Sequence, residues 1–133
     1  MKRTTTTNLV VADRKGVAVF EVTPEYVLVR RPDNGVCICT NHFCTEQLRP
    51  RVGLNLFGTY GRYRMLDDAG RAQEKHTIAD LHDALHAVRE EKETLQTMIF
   101  EPATLRLHLA IGQCPSSAGA LKRLDLMPFL RGE

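Results

Sequence analysis

Within the stretch Val36–Cys44, VCICTNHFC, three of the chain's four cysteines and a histidine fall inside eight residues. Thiolate and imidazole are the ligands that zinc takes up in tetrahedral geometry, and a thiolate is also a nucleophile and a redox centre. The spacing C-x-C-x-x-H-x-C argues against a metal. Structural zinc sites combine a short ligand pair with a second pair from a distant part of the fold. Here Cys37 and Cys39 stand two apart on an expected strand, so both thiols face the same side. His42 and Cys44 follow where that strand runs out. Free cysteine packs as a small hydrophobe. Cys37, Cys39 and Cys44 are therefore read as packed thiols, and neither a metal nor a cofactor is expected.

Elsewhere, His82 and His86 sit at i, i+4 on an expected helix, a spacing that can chelate a metal. Position 83 is Asp rather than the Glu of the metalloprotease motif, and Arg89, Glu90 and Glu91 mark a solvated face. The chain has no G-x-S-x-G nucleophile elbow. It also lacks a glycine-rich phosphate loop, Ser116-Ser117-Ala118-Gly119 being a plain loop.

The elements that must position these residues alternate in character. Asn8–Asp13 and Gly16–Val22 are apolar runs joined by Asp13-Arg14-Lys15-Gly16, a hairpin signature. Thr23-Pro24-Glu25 turns the chain into a third strand, Tyr26–Arg30. Arg31-Pro32-Asp33-Asn34-Gly35 is a strong turn, because proline fixes φ and Asn-Gly supplies positive φ. Val36–Thr40 is then expected as a fourth strand of an antiparallel meander. Thr45–Gly58 is irregular. Thr59–Asp68 is expected to be helical. Thr77-Ile78-Ala79-Asp80 has the form of a helix N-cap with an acid at its third helical position. Ile78, Leu81, Leu85 and Val88 continue that helix at helical spacing to about Glu91. Thr94–Phe100 and Thr104–Ile111 form two further strands about the turn Glu101-Pro102-Ala103, and the tail from Gln113 is expected to be mostly loop. The order β-β-β-β-α-α-β-β defines an α+β fold, an antiparallel sheet with helices on one face. Helices on one side of a six-strand sheet leave its other face needing a partner layer.

The 133 residues suit a single domain with one core. The chain is 43% hydrophobic and 26% charged, as in an ordinary globular protein. A formal net charge of +2 supplies no field for nucleic acid, and the absence of tryptophan with few other aromatics argues against a base-stacking surface. No apolar run approaches the roughly 20 residues that span a bilayer, and the amino end lacks the apolar core of a secretory signal. Neither a nucleic-acid partner nor a membrane is expected, and a cytoplasmic location is the default.

Taken in series, several segments resemble one family. NLVVADRKGVAVFEVTPEYVLVRRPDNGVCICTNHF is similar to the later half of the penicillin acyltransferase-like N-terminal nucleophile (Ntn) hydrolases. These include the isopenicillin N acyltransferases and are related to choloylglycine hydrolases. Their recurring phrase is N-hydrophobic-ADxxG, E-V-x-P, V-R-R-P, G-V and T-N-H-F, in that order. TYGRYRML resembles the family's S-x-x-R-x-x-x-L segment, and TLQTMIFEPATLRLHLAIGQCPSSAG with LKRLDLMPFL resembles its closing hairpin and tail. The similarity runs from about residue 8 to about residue 130. It implies half of an αββα sandwich and a cysteine enzyme that cleaves or forms amide bonds. In such enzymes self-cleavage makes the cysteine residue one, and its own α-amino group, with an ordinary pKa of about 7.7–8.0, serves as the base. Asn41 matches the asparagine whose amide stabilises the oxyanion, a donor that adds no charge of its own. Thr59 falls where the family tends to have Ser, and Arg62 matches its Arg, both in supporting roles.

The departure from the family is the nucleophile. Residue 1 is Met, no Gly-Cys pair occurs, and Cys37, Cys39, Cys44 and Cys114 follow Val, Ile, Phe and Gln. The resemblance therefore implies a C-terminal portion that is inactive alone and is completed by a missing N-terminal Ntn segment, with an acylated amine or amide as substrate. The alternative expectation is a stand-alone, non-catalytic module in which a second copy, as a homodimer, supplies the missing layer.

Overall fold

The computed structural model describes residues 6–49 and 58–130, without the side chain of Leu130. The expected irregular stretch 45–58 lies partly outside the described residues, at 50–57. The chain, taken as one domain from its length, divides into two compact units with the boundary between Ala72 and Gln73. The fold is α+β, with one antiparallel three-strand sheet in each unit.

In the first unit, β1 (Thr7–Asp13), β2 (Gly16–Val22) and β3 (Val27–Arg30) pair in sequence order, followed by α1 (Thr59–Arg71). The Asp13 carboxylate accepts from the backbone N–H groups of Lys15 (2.7 Å) and Gly16 (3.0 Å), closing the β1–β2 hairpin. Pleating then sorts side chains by parity. Asn8 pairs with Glu21, and Val10 pairs with Val19, which pairs in turn with Arg30, so these residues share one face. Leu9, Phe20 and Val29 align on the other face together with Val11. Val19 and Glu21 are fully buried, whereas Leu9, Val11, Val27 and Val29 are exposed.

The expected fourth strand, Val36–Thr40, does not form. Asn34 (φ 47°) and Gly35 (φ 81°) make the turn, and a single bridge links Asp33 to Val36 before the chain leaves the sheet. The carbonyls that a ladder would have engaged are met by side chains. Arg30 Nη2 donates to the Ile38 carbonyl at 2.6 Å, and Asn8 Nδ2 donates to the carbonyls of Thr40 (2.7 Å) and His42 (3.0 Å). A strand-like composition is overridden by partners that periodicity does not reveal. Near its end α1 passes close to this segment at Gly70, where a Cβ would come within 2.9 Å of Val36 Cγ1.

The second unit contains α2 (Ile78–Ala87), β4 (Gln96–Glu101), β5 (Arg106–Ile111), β6 (Lys122–Asp125) and α3 (Met127–Leu130). Its strands pair in the order β4-β5-β6. Five of the six expected strands form, and with β6 they make two separate sheets of three. The tail expected as loop supplies β6, with Leu107 opposite Leu124 and Leu109 opposite Lys122. KRLD was missed because four residues with one apolar position carry no period-2 signal. α2 ends at Ala87, short of the expected Glu91. It packs against β4 and a 3-10 turn at Ser116–Ala118, so helical structure lies on one face of this sheet. Thr97, Ile99 and Ala110 are buried, whereas Met98, Phe100 and Ile111 are exposed. Of the pair His82 and His86, His86 Nδ1 lies 2.9 Å from Ser117 Oγ. Among the described residues, no three His, Cys, Asp or Glu side chains gather at a metal-binding distance.

The expected N-cap at Thr77 forms a full capping box, with Asp80 N donating to Thr77 Oγ1 (3.2 Å) and Thr77 N donating to Asp80 Oδ2 (2.7 Å). Thr77→Ala removes one half of this exchange. It is expected to destabilise the second unit by about 1 kcal/mol, read as a lower urea midpoint at unchanged slope when unfolding is followed by far-UV circular dichroism.

Candidate functional site

The segment 38–45 is an irregular loop held in shape from beneath. Glu21, fully buried on the inner face of β2, accepts through Oε1 from Arg30 Nε (2.7 Å) and Cys44 N (2.8 Å). Its Oε2 accepts from Thr45 N (3.1 Å) and Thr45 Oγ1 (2.7 Å). A buried carboxylate is costly unless its lone pairs are filled, and here four donors fill them. Burial pushes the Glu21 carboxyl up, but the Thr45 hydroxyl, the two backbone N–H groups and Arg30 outweigh it and hold the group below its ordinary value. Arg30 in turn reaches the Ile38 carbonyl, so one ion pair binds both ends of the loop.

The crown of the loop is tied to the start of α1. Thr59, 1% exposed, receives the Asn41 backbone N–H on its Oγ1 at 3.0 Å. The same hydroxyl lies 3.0 Å from His42 Nδ1 and 2.8 Å from Thr40 Oγ1. Thr40 Oγ1 donates to the Thr59 carbonyl at 3.2 Å. Thr40 Oγ1 also lies 3.1 Å from His42 Nδ1. One donor assignment accommodates these contacts: Nδ1–H of a neutral His42 is shared between the Thr59 and Thr40 oxygens, Thr59 donates to Thr40, and Thr40 donates to the carbonyl. Burial, followed by the nearby Arg30 charge, lowers the His42 pKa and favours that neutral form. The imidazole also lies against Tyr60, with ring centroids 4.2 Å apart, and against Tyr63 at 5.4 Å.

Thr59 and Arg62 are three apart and share a face of α1. Arg62 Nη2 donates to Asn41 Oδ1 at 2.8 Å. A guanidinium can only donate, so the atom facing it must be the amide oxygen, which turns the Asn41 NH2 away. Asn41 is exposed, and among the described residues nothing receives its Nδ2 hydrogens. Asn41, Thr59 and Arg62, all singled out in the sequence, are thus in direct contact. Chemically the arrangement is a hydrogen-bond donor with fixed orientation at a solvent-facing position, able to stabilise negative charge on an oxygen.

The cysteines are not in an activating setting. Burial raises the Cys39 pKa, against a smaller opposing effect of Arg30, and does the same for Cys44. Both remain thiols at neutral pH. Cys37 Sγ points at the Arg30 carbonyl, 3.8 Å away.

Sequence reasoning passed over Asn8, Glu21, Arg30 and Thr40 as functional positions. A signal existed: Asn8 and Glu21 are polar residues at inward positions of otherwise apolar strands, where a side chain without partners would be costly. Compared with models of protein families, with curated proteins and with solved structures, the chain has no match.

Replacing Glu21 with Gln is expected to cost about 3 kcal/mol at neutral pH, because it leaves Arg30 with an unbalanced buried charge. The folded-state pKa of Glu21 lies below its unfolded value. Its contribution is therefore complete above about pH 4.3 and disappears as pH falls through the folded value. The gap between wild type and Glu21→Gln should narrow on acidification below about pH 4. Tyr26, Tyr60 and Tyr63, the chain's three tyrosines, all lie in the first unit. Tyrosine fluorescence during urea unfolding measures this unit directly.

Proposed function

We propose that the first unit forms one wall of the active site of a cysteine Ntn amidohydrolase or acyltransferase acting on a carbon–nitrogen amide bond. The observation that carries this reading is the exposed Asn41 amide, held by Arg62 through its oxygen and by Thr59 through its backbone N–H, with its NH2 unengaged among the described residues. Attack on an amide carbonyl places negative charge on its oxygen. A donor already oriented toward that charge lowers the barrier without reorganising at the moment of reaction. The resemblance around TNHF and TYGRYRML independently assigns this role to Asn41, with Thr59 and Arg62 in support.

On this reading the nucleophile comes from polypeptide beyond these 133 residues. Cys39 and Cys44 are held as neutral thiols, and a new amino terminus at any of the cysteines 37, 39 or 44 would remove β1, β2 and β3, which carry the loop. The experiment is to co-express the chain with the polypeptide encoded immediately upstream and to assay acyl p-nitroanilides. Amide cleavage is expected from the pair and not from this chain alone. Asn41→Ala should lower kcat of the pair about 100-fold with little change in KM. Cleavage indifferent to Asn41, or its failure with any upstream partner, counts against the proposal.

A second reading, a non-catalytic homodimeric module, draws on the outer face of the first sheet. Leu9, Val11, Val27 and Val29 are exposed there side by side, an apolar surface of the kind that another layer covers. If two copies associate through it, Val11→Lys with Val29→Lys should convert a dimer into a monomer in sedimentation equilibrium. A wild-type chain that stays monomeric at micromolar concentration rules this reading out.

A further inference from the structure

Beside the loop, the first unit has a pocket of about 290 Å³ lined by His42, Phe43, Cys44, Arg49, Tyr60 and Tyr63. The hydrogen bonds that orient Asn41 use His42 only through Nδ1 and do not involve Phe43, Arg49 or Tyr63. The composition of the walls is selective. Four of the six side chains are rings, and two of them, His42 and Phe43, are buried, which gives the pocket a fixed floor. His42 packs against Tyr60 and Tyr63 at centroid distances of 4.2 and 5.4 Å, so the rings brace one another.

Charge within the pocket is equally one-sided. Burial, with Arg30 nearby, keeps His42 neutral. Burial raises the pKa of both Cys44 and Tyr63, so thiol and phenol are uncharged at neutral pH. Among the described residues, no carboxylate lines the pocket. Glu21 is already filled by four donors beneath the loop, and Asp67, whose charge reaches Tyr63, is paired with Arg71. Among the described lining residues Arg49 thus brings the one full charge, and its Nη2 is anchored to the Cys44 carbonyl at 3.0 Å. A guanidinium has five N–H donors, so this anchor leaves others to offer a ligand. Ligand sites characteristically combine apolar and aromatic walls with a few placed polar groups. The volume lies at the small end of the usual range of about 300–1,000 Å³, which suits a single ring.

From this combination we infer that the pocket is a binding site for small aromatic carboxylates, with the ring packed against the cluster of His42, Tyr60 and Tyr63 and the carboxylate on Arg49. The six described lining residues all belong to the first unit, and the inference stands independently of whether the chain processes amides.

The test uses the intact chain with benzoate as probe and benzyl alcohol and benzylamine as ring-matched neutral and cationic controls. Amide and aromatic NMR shifts report the location, and their titration the affinity. So small a ligand is expected to bind in the millimolar range. Benzoate should move the signals of His42, Phe43, Cys44, Tyr60 and Tyr63 and bind about tenfold more tightly than benzyl alcohol, with benzylamine weakest. In Arg49→Met, whose exposed position should leave the urea midpoint unchanged, the preference for benzoate over benzyl alcohol should vanish. Tyr60→Leu should weaken both neutral and anionic ligands together. Equal affinity for benzoate and benzyl alcohol in the wild type, shifts centred outside the pocket, or no saturable binding of benzoate would each overturn the assignment, and none of these comparisons requires a variant to fold.

Discussion

The first unit is organised around a single buried carboxylate. Glu21 lies in the interior of a small sheet, where an ionised group is tolerated only if its surroundings replace the water it has lost. Those replacements are the backbone N–H groups of residues 44 and 45, a threonine hydroxyl and a guanidinium. Satisfying the charge therefore dictates the path of the loop. The chain must bend so that Cys44 and Thr45 present their N–H groups inward, and Arg30 must lie along β3 so that its other end meets the Ile38 carbonyl. Asn8 holds the intervening stretch by the carbonyls of Thr40 and His42. Between these anchors the crown at 40–42 has little freedom, and α1 completes it through Thr59 and Arg62. Orientation of one exposed amide is the outcome of a chain of hydrogen bonds that begins at a buried charge.

This arrangement explains why part of the architecture can be read from residue patterns and part cannot. The hairpin of β1 and β2, the capping box at Thr77 and the strands β4 and β5 are specified locally, by turn residues, side-chain caps and alternation. They were anticipated within a few residues. Val36–Thr40 was expected as a strand because its composition is that of a strand, yet its Ile38 and Thr40 carbonyls are taken by side chains up to 32 residues distant. No local rule contains that information. β6 was missed for the converse reason, since a four-residue edge strand with a charged composition acquires its state from the neighbour it pairs with. The expected single sheet becomes two because alternation specifies which side of a strand is apolar and says nothing about which strands pair.

The candidate site divides in the same way. Asn41, Thr59 and Arg62 were reached through motif resemblance, and the fold brings them into contact across 18 and 21 residues of sequence. Asn8, Glu21 and Arg30 are letters of the same extended phrase, N-hydrophobic-ADxxG to V-R-R-P, but only their geometry assigns them a task. Of the cysteines that first suggest chemistry, Cys39 and Cys44 are held as thiols by burial. Chemical reactivity of a residue type proved a weaker guide than the cost of burying a polar one.

The loop at 38–45 is stabilised almost wholly by groups remote in sequence, with separations of 32 and 34 residues from Asn8 and of 23 and 24 from Glu21. Contacts of that range carry a large closure entropy and are recovered only once their anchoring strands are in place. The three-strand meander, whose pairings are local, is therefore assembled before the crown can take its shape. Release of the loop would strip Glu21 of three of its four donors, so the orientation of the exposed amide and the compensation of the buried charge fail together.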